Sequence, residues 1–137
     1  MARSGRSQPP GEPARPGASE PAAKRSLGRF RWVQILVSGP SMVPTLKHGD
    51  HVMVWRGARI RGGEVVVGSF PARPDLLVVK RAVRPAGDGW WLASDNPAVA
   101  DDSRRYGPAE VYGRAVVRCW PLRRIAILAR TDLAPPE

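Results

Sequence analysis

Beyond residue 29 the chain alternates short apolar runs with breaks of Gly, Pro and polar residues. Runs of four to ten residues bounded by such breaks predict strands rather than helices. Trp32–Val37 is the first, ahead of a turn rich in Gly, Pro and Ser. Val52–Trp55 is the second, and Glu64–Gly68 the third, after Gly62-Gly63. Leu76–Arg84 is the fourth. Residues 85–89, PAGDG, read as a tight connection to a hairpin partner, Trp90–Ala93. Residues 94–109 are polar and broken by Asn96-Pro97 and Gly107-Pro108. Val111–Trp120 is the last long strand, and residues 122–130 read as a short helix. Short strands joined by Gly/Pro turns predict a mainly β domain.

Residues 1–28 break this pattern. They hold five prolines and four glycines, with one leucine and no aromatic residue. Such a composition buries too little apolar area to offset the entropy of ordering, which predicts a disordered tail. The expected organisation is a tail over 1–28, a β-rich domain over 29–125 and a C-terminal tail over 126–137. The net charge is +10, and residues 1–31 carry half of it, with seven cations against Glu12 and Glu20. A basic tail of this kind suits an anionic partner, although a solvated extension accounts for it without one. The five tryptophans (32, 55, 90, 91 and 120), interleaved with cations, would suit base stacking. Neighbours on a strand point to opposite faces, however, so Trp90 and Trp91 cannot share one stacking surface.

Cys119 is the only cysteine, which excludes an intramolecular disulfide and a cysteine-based zinc cluster. No run approaches the roughly 20 apolar residues that span a bilayer. The Pro- and Arg-rich N-terminus has no apolar core of a signal peptide. The expectation is a cytoplasmic protein without a transmembrane anchor, with at most loose attachment to a membrane through its basic tail.

The candidate chemistry lies in "VSGPSMVPTLKHGD", residues 37–50, where Pro40 and Pro44 bracket Ser41. A serine hydroxyl is a weak nucleophile until a neighbouring base takes its proton. His48 and His51 lie close in sequence, which does not place them in contact. Lys80 is the other candidate, inside "LLVVKRAV", where strand alternation aligns it with Leu76, Val78 and Ala82. Full burial lowers a lysine pKa by about 3–5 units from ~10.4, enough to leave it neutral near pH 7. A cation guarding a strand edge would give the same pattern, and the pattern leaves both readings open.

"SGPSMVPTL" (38–46), "GDHVMV" (49–54), "VVKRAV" (78–83) and "SDNPAVADDSRRYGP" (94–108) resemble, in order, the boxes of the S26 serine proteases, the type I signal peptidase-like family. That resemblance implies a β-rich catalytic domain shared with LexA-like self-cleaving repressors, and a Ser–Lys dyad. It makes Ser41 the nucleophile and Lys80 the general base, with the backbone N–H of Ser41 in the oxyanion hole. Met42, Gly39 and Pro40 would shape the substrate cleft. Asp102 and Arg104 would form an ion pair behind the site, Asp95 and Asn96 the turn that opens it, and Arg81 would join this acidic element. There are departures. Gly39 stands where some relatives carry an oxyanion serine, Ser94 where the family has glycine, and Ala100 where many relatives carry a serine that orients the lysine. No metal or cofactor is implied.

"SGPSMVPTL" and "WWLASDNP" look most like the nickel-type superoxide dismutase maturation proteases. The expected function is removal of an N-terminal leader from a precursor protein, nickel superoxide dismutase being the suggested partner, with no nucleic acid expected. The alternatives are a signal peptidase acting on secretory preproteins at the membrane and a non-catalytic basic nucleic-acid binder. A LexA-like repressor would need a DNA-reading helical domain that residues 1–28 do not supply.

Overall fold

The computed structural model describes residues 21–131. Among them seven strands, all paired antiparallel, make one sheet: β1 (Trp32–Leu36), β2 (His51–Trp55), β3 (Val65–Ser69), β4 (Val78–Ala86), β5 (Gly89–Ala93), β6 (Glu110–Trp120) and β7 (Ala126–Ile127). The spatial order is β1-β2-β6-β3-β4-β5, with β7 also on β6. The long β6 organises the sheet. β2 runs along one edge of it, while β3 and then β7 share the other; Arg114 pairs with both Trp55 and Val66. The six long strands expected from the sequence are present, each within two residues of its expected ends.

β3 is buried along its whole length. Val65 and Val67 enter one apolar cluster with Val37, Met42, Leu46, Val52, Val54 and Ala115. Val66, between them, enters a second with Phe70, Ala82, Leu92 and Ala109. Strand alternation therefore gives one strand two cores, one on each side of the sheet. The close packing of β3 on β6 requires Gly68: a Cβ there would lie 2.1 Å from the Glu110 carbonyl oxygen. The register shifts between Val67 and Gly68, as at a bulge, which bends the strand.

Two expectations fail at the ends. Residues 21–28, assigned to the tail, are packed. They form a short helix, α1 (Ala22–Arg25), and bury Ala23 and Leu27 against Tyr112, beside Val33, Ile35 and Leu77. Ala23 N–H donates to Pro74 O at 3.0 Å. The composition of the whole tail hid two apolar residues spaced four apart, the spacing of one helical face. Residues 1–20 and 132–137 lie outside the described region. The helix expected over 122–130 is instead one 3-10 turn, Leu122–Arg124, followed by β7. The vacant edge of β6 beyond β3 takes this segment as a strand, and Leu128 N–H donates to Val116 O. A second short helix, α2 (Ser103–Tyr106), interrupts the polar stretch between β5 and β6.

Because Leu27 is 3% exposed, truncating it leaves a cavity. Leu27→Ala should lower unfolding free energy by about 2 kcal/mol, the low end for buried leucines, since the cluster is small. Urea denaturation measures this; an unchanged midpoint would mean that the segment contributes nothing to the fold.

Candidate active site

The loop between β1 and β2 carries Ser41. Its two ends are joined: Val37 N–H donates to Asp50 O at 2.8 Å, and Gly49 N–H to Val37 O at 2.9 Å. Within it, Val43 N–H donates to Pro40 O and Leu46 N–H to Met42 O, which winds the chain into two successive turns. Met42 and Leu46 are buried in the first core cluster and pin these turns to the sheet. Met42 therefore anchors the loop rather than lining the cleft, as the resemblance suggested. The left-handed φ of +83° at Gly39 starts the turn, a conformation glycine adopts without strain. Gly39 N–H donates to His48 Nδ1 at 3.0 Å. His48 thus supports the turn, and His51 Nδ1 contacts Gln34 Nε2.

Residues 34–41 and 76–80 both line a cleft of about 490 Å³. Ser41 and Lys80 line this same cleft, with Gly39 and Pro40 beside Ser41. Its apolar surface comes from Ile35, Val37, Leu77, Val79 and Phe70, and Arg73, Asp101 and Tyr106 contribute polar groups. Lys80 is 4% exposed, which removes the edge-guard reading. Its Nζ donates to Ser94 Oγ at 3.2 Å. Burial pushes its pKa below the ordinary lysine value, against the opposing pull of the Asp102 and Asp101 charges. The cleft thus holds a hydroxyl and an amine whose charged form is disfavoured, the two groups that an acyl-transfer reaction needs.

Behind Lys80 the segment after β5 is fixed by three successive residues. Ser94 N–H donates to Asp102 Oδ2 at 2.9 Å. Asp95 accepts from Arg81 Nε at 3.1 Å, from Arg81 Nη2 at 2.5 Å and from Thr45 Oγ1 at 2.6 Å. Asn96 N–H donates to Ser41 O at 2.9 Å, and its Nδ2 to Pro40 O at 3.0 Å. Asp102 is fully buried at the start of α2 and accepts from Arg104 Nε at 3.0 Å. Burial alone would raise the Asp102 pKa. The Arg104 side-chain hydrogen bond, the N–H groups of Ser94 and Arg104 and the Arg104 charge outweigh it and hold the carboxyl below its usual value. Arg81 joins Asp95 rather than Asp102, because it points away from Lys80 on the other face of β4. Asn96 and Ser94 act on the site more directly than the sequence indicated. The signal for Ser94 was its place in the hairpin, one residue beyond the Arg81–Ala93 pair and so opposite Lys80.

The tryptophans make no common stacking surface. Trp32 and Trp55 pack edge to face across β1 and β2, and Trp91 lies under Arg84. Among the described residues no helix is long and apolar enough to cross a membrane.

The pattern of the Peptidase S24-like family matches residues 28–116. Mitochondrial inner membrane protease subunit 1 of Xenopus tropicalis is 30% identical over 115 residues, covering 64% of this chain and 69% of that protein. The Homo sapiens protein of the same name is 29% identical over 121 residues, covering 69% and 73%. That of Schizosaccharomyces pombe is 33% identical over 113 residues, covering 63% and 72%. These relatives overturn the cytoplasmic expectation: by name they are mitochondrial inner membrane protease subunits, which points to a membrane-associated location. An apolar span and a location are different properties, and lack of the first does not decide the second.

Two outcomes follow from the buried charges. The Arg81 and Asp95 side chains are 7% and 16% exposed, so Asp95→Ala strands a buried guanidinium; a loss of roughly 3 kcal/mol is expected by chemical denaturation. Lys80 has a folded pKa below its unfolded value, so between those two pH values the unfolded chain binds more protons, and stability rises with pH there. Lys80→Met should therefore raise the melting temperature at neutral pH; a lower one would show that the ammonium stabilises the fold.

Proposed function

The chain belongs to the Peptidase S24-like family, and from that membership we propose that it is a serine endopeptidase in which Ser41 and Lys80 act as a dyad to remove an N-terminal leader from a precursor protein. The observation that carries this reading is one cleft lined by a serine on a clamped turn and by a buried lysine whose pKa burial lowers. Ser41 Oγ attacks the scissile carbonyl carbon while neutral Lys80 takes its proton. The oxyanion forms beside the backbone N–H of Ser41; one such donor contributes ~3–4 kcal/mol where it has been removed. The C–N bond then breaks, Lys80 returns the proton to the leaving amine, and an acyl-enzyme remains for water to hydrolyse.

The cleft suits an extended chain. Residues 34–38 and 76–79 both line it, so a substrate segment can lie along them and place small side chains among Ile35, Val37, Leu77 and Val79. The phrases "SGPSMVPTL" and "WWLASDNP" favour a nickel superoxide dismutase precursor as that substrate. A second reading, a precursor presented at a membrane, is favoured by the relatives' names and by exposed Trp120, Leu122, Ile125 and Ile127 at the end of β6 and beyond.

Incubation with a nickel superoxide dismutase precursor, with the product's N-terminus read by mass spectrometry, separates the two. Cleavage once in plain buffer supports the maturation reading; cleavage of secretory precursors only with liposomes supports the second. Ser41→Ala and Lys80→Ala should each abolish turnover while leaving a folded protein. Activity should climb as pH rises through the lowered pKa of Lys80, since the neutral amine is the base. A rate flat from about pH 6 to 10 would rule out a lysine base.

A further inference from the structure

A lysine base has a positional problem as well as a protonation problem. Its side chain turns about four carbon–carbon bonds and the Cε–Nζ bond. The neutral amine carries two N–H bonds and one lone pair, and only the lone pair can take a proton from serine. Something must hold an N–H so that the lone pair faces Ser41.

We propose that Ser94 does this: its hydroxyl oxygen accepts an N–H of Lys80 and so aims the amine at Ser41, which makes Ser94 the positioning residue of the base. The contact is Lys80 Nζ to Ser94 Oγ, 3.2 Å, beside a lysine that is 4% exposed. The register of the β4–β5 hairpin produces it. Arg81 is paired with Ala93, so the next residue on each strand, Lys80 and Ser94, meet on the opposite face. The hydroxyl also stands on a backbone held by hydrogen bonds at three successive residues. Ser94 N–H is held by the buried Asp102 carboxylate, Asp95 is held by Arg81 and Thr45, and Asn96 is tied to Ser41 O and Pro40 O. Three consecutive residues thus link the lysine's acceptor to the nucleophile's own turn. Ala100, by contrast, has no hydroxyl and is exposed.

This inference rests on the Ser–Lys reading, and its test keeps the two apart. Acylation by the p-nitrophenyl ester of N-acetylalanine reports nucleophile and base without a physiological substrate. Ser94→Ala keeps the backbone N–H to Asp102, so its effect reports the hydroxyl. A fall in kcat of roughly 10- to 100-fold is expected, with KM unchanged, because a misaimed base costs rate rather than binding. The fall should persist on the alkaline plateau, where Lys80 is fully neutral. Ser94→Thr and Ser94→Val form a matched pair of nearly equal shape, so a fast threonine and a slow valine variant identify the hydroxyl even if the alanine variant folds poorly. Equal rates in that pair, or a loss that disappears at alkaline pH, would overturn the positioning role. Ser41→Ala and Lys80→Ala run alongside: if either acylates normally, the dyad itself is wrong.

Discussion

The Asp95 carboxylate ties together the parts of the chain that make the cleft. It takes two hydrogen bonds from Arg81 on β4 and one from Thr45 in the Ser41 loop. Arg118 on β6 donates in turn to Thr45 O at 2.8 Å. Burying a carboxylate and a guanidinium costs several kcal/mol each, and only good geometry offsets that cost. The fork of Arg81 meets both Asp95 oxygens, the arrangement in which such pairs are strongest. Further Arg81 bonds to Gly63 O, Ala129 O and Thr45 Oγ1 satisfy the remaining donors. The pair also fixes where the turn after β5 lies, and hence where Asn96 grips Ser41.

Two adjacent cations receive opposite treatment. Arg81 is buried with a carboxylate and stays charged, since a guanidinium does not lose its proton in proteins. Lys80, one residue earlier, is buried against a hydroxyl and loses part of its hold on its proton. Strand alternation does the sorting, by sending successive residues to opposite faces. An arginine at 80 could not act as a base, and a lysine at 81 would lack the fork that spans both oxygens of Asp95. The chemistry and the scaffold therefore depend on one register. A slip of a single residue along β4 would turn every side chain of the strand to the other face, so that neither the amine nor the guanidinium would keep its partner.

Much of this was legible in the sequence, because short strands between Gly and Pro breaks announce themselves by period. The β4–β5 hairpin followed from "PAGDG", and the Ser41 loop from its prolines. What the pattern could not decide was the environment of Lys80. An edge cation and a buried base look alike until β3 and β5 are placed on either side of β4. Ser94 stood out as a departure from a family pattern, and its meaning came from its place opposite Lys80 in the hairpin register. Met42 looked like a cleft residue because it follows Ser41, and the turn sends it into the core instead. Leu27 was lost in the average of a Pro-rich stretch, although its spacing from Ala23 was a usable signal. The segment beyond Trp120 read as a short helix, and the vacant edge of β6 takes part of it as a strand instead.

Gly39 shows how a departure from a family pattern can carry two constraints. By the resemblance, it stands where some relatives carry a serine whose hydroxyl would face the oxyanion. As a backbone position it adopts a φ of +83°, which a residue with a Cβ reaches only with strain, even though a Cβ there would meet nothing within 4 Å. The obstacle to restoring a serine is thus torsional, not steric. The N–H of Gly39 is also committed, since it donates to His48 Nδ1. In the proposed mechanism the developing charge therefore falls mainly on the N–H of Ser41. That donor belongs to the residue whose carbonyl Asn96 N–H holds and which follows the Pro40 carbonyl held by Asn96 Nδ2. A site with one backbone donor depends more heavily on that donor's aim, and the clamp from Asn96 keeps the peptide groups on either side of Ser41 in a single orientation before any substrate arrives.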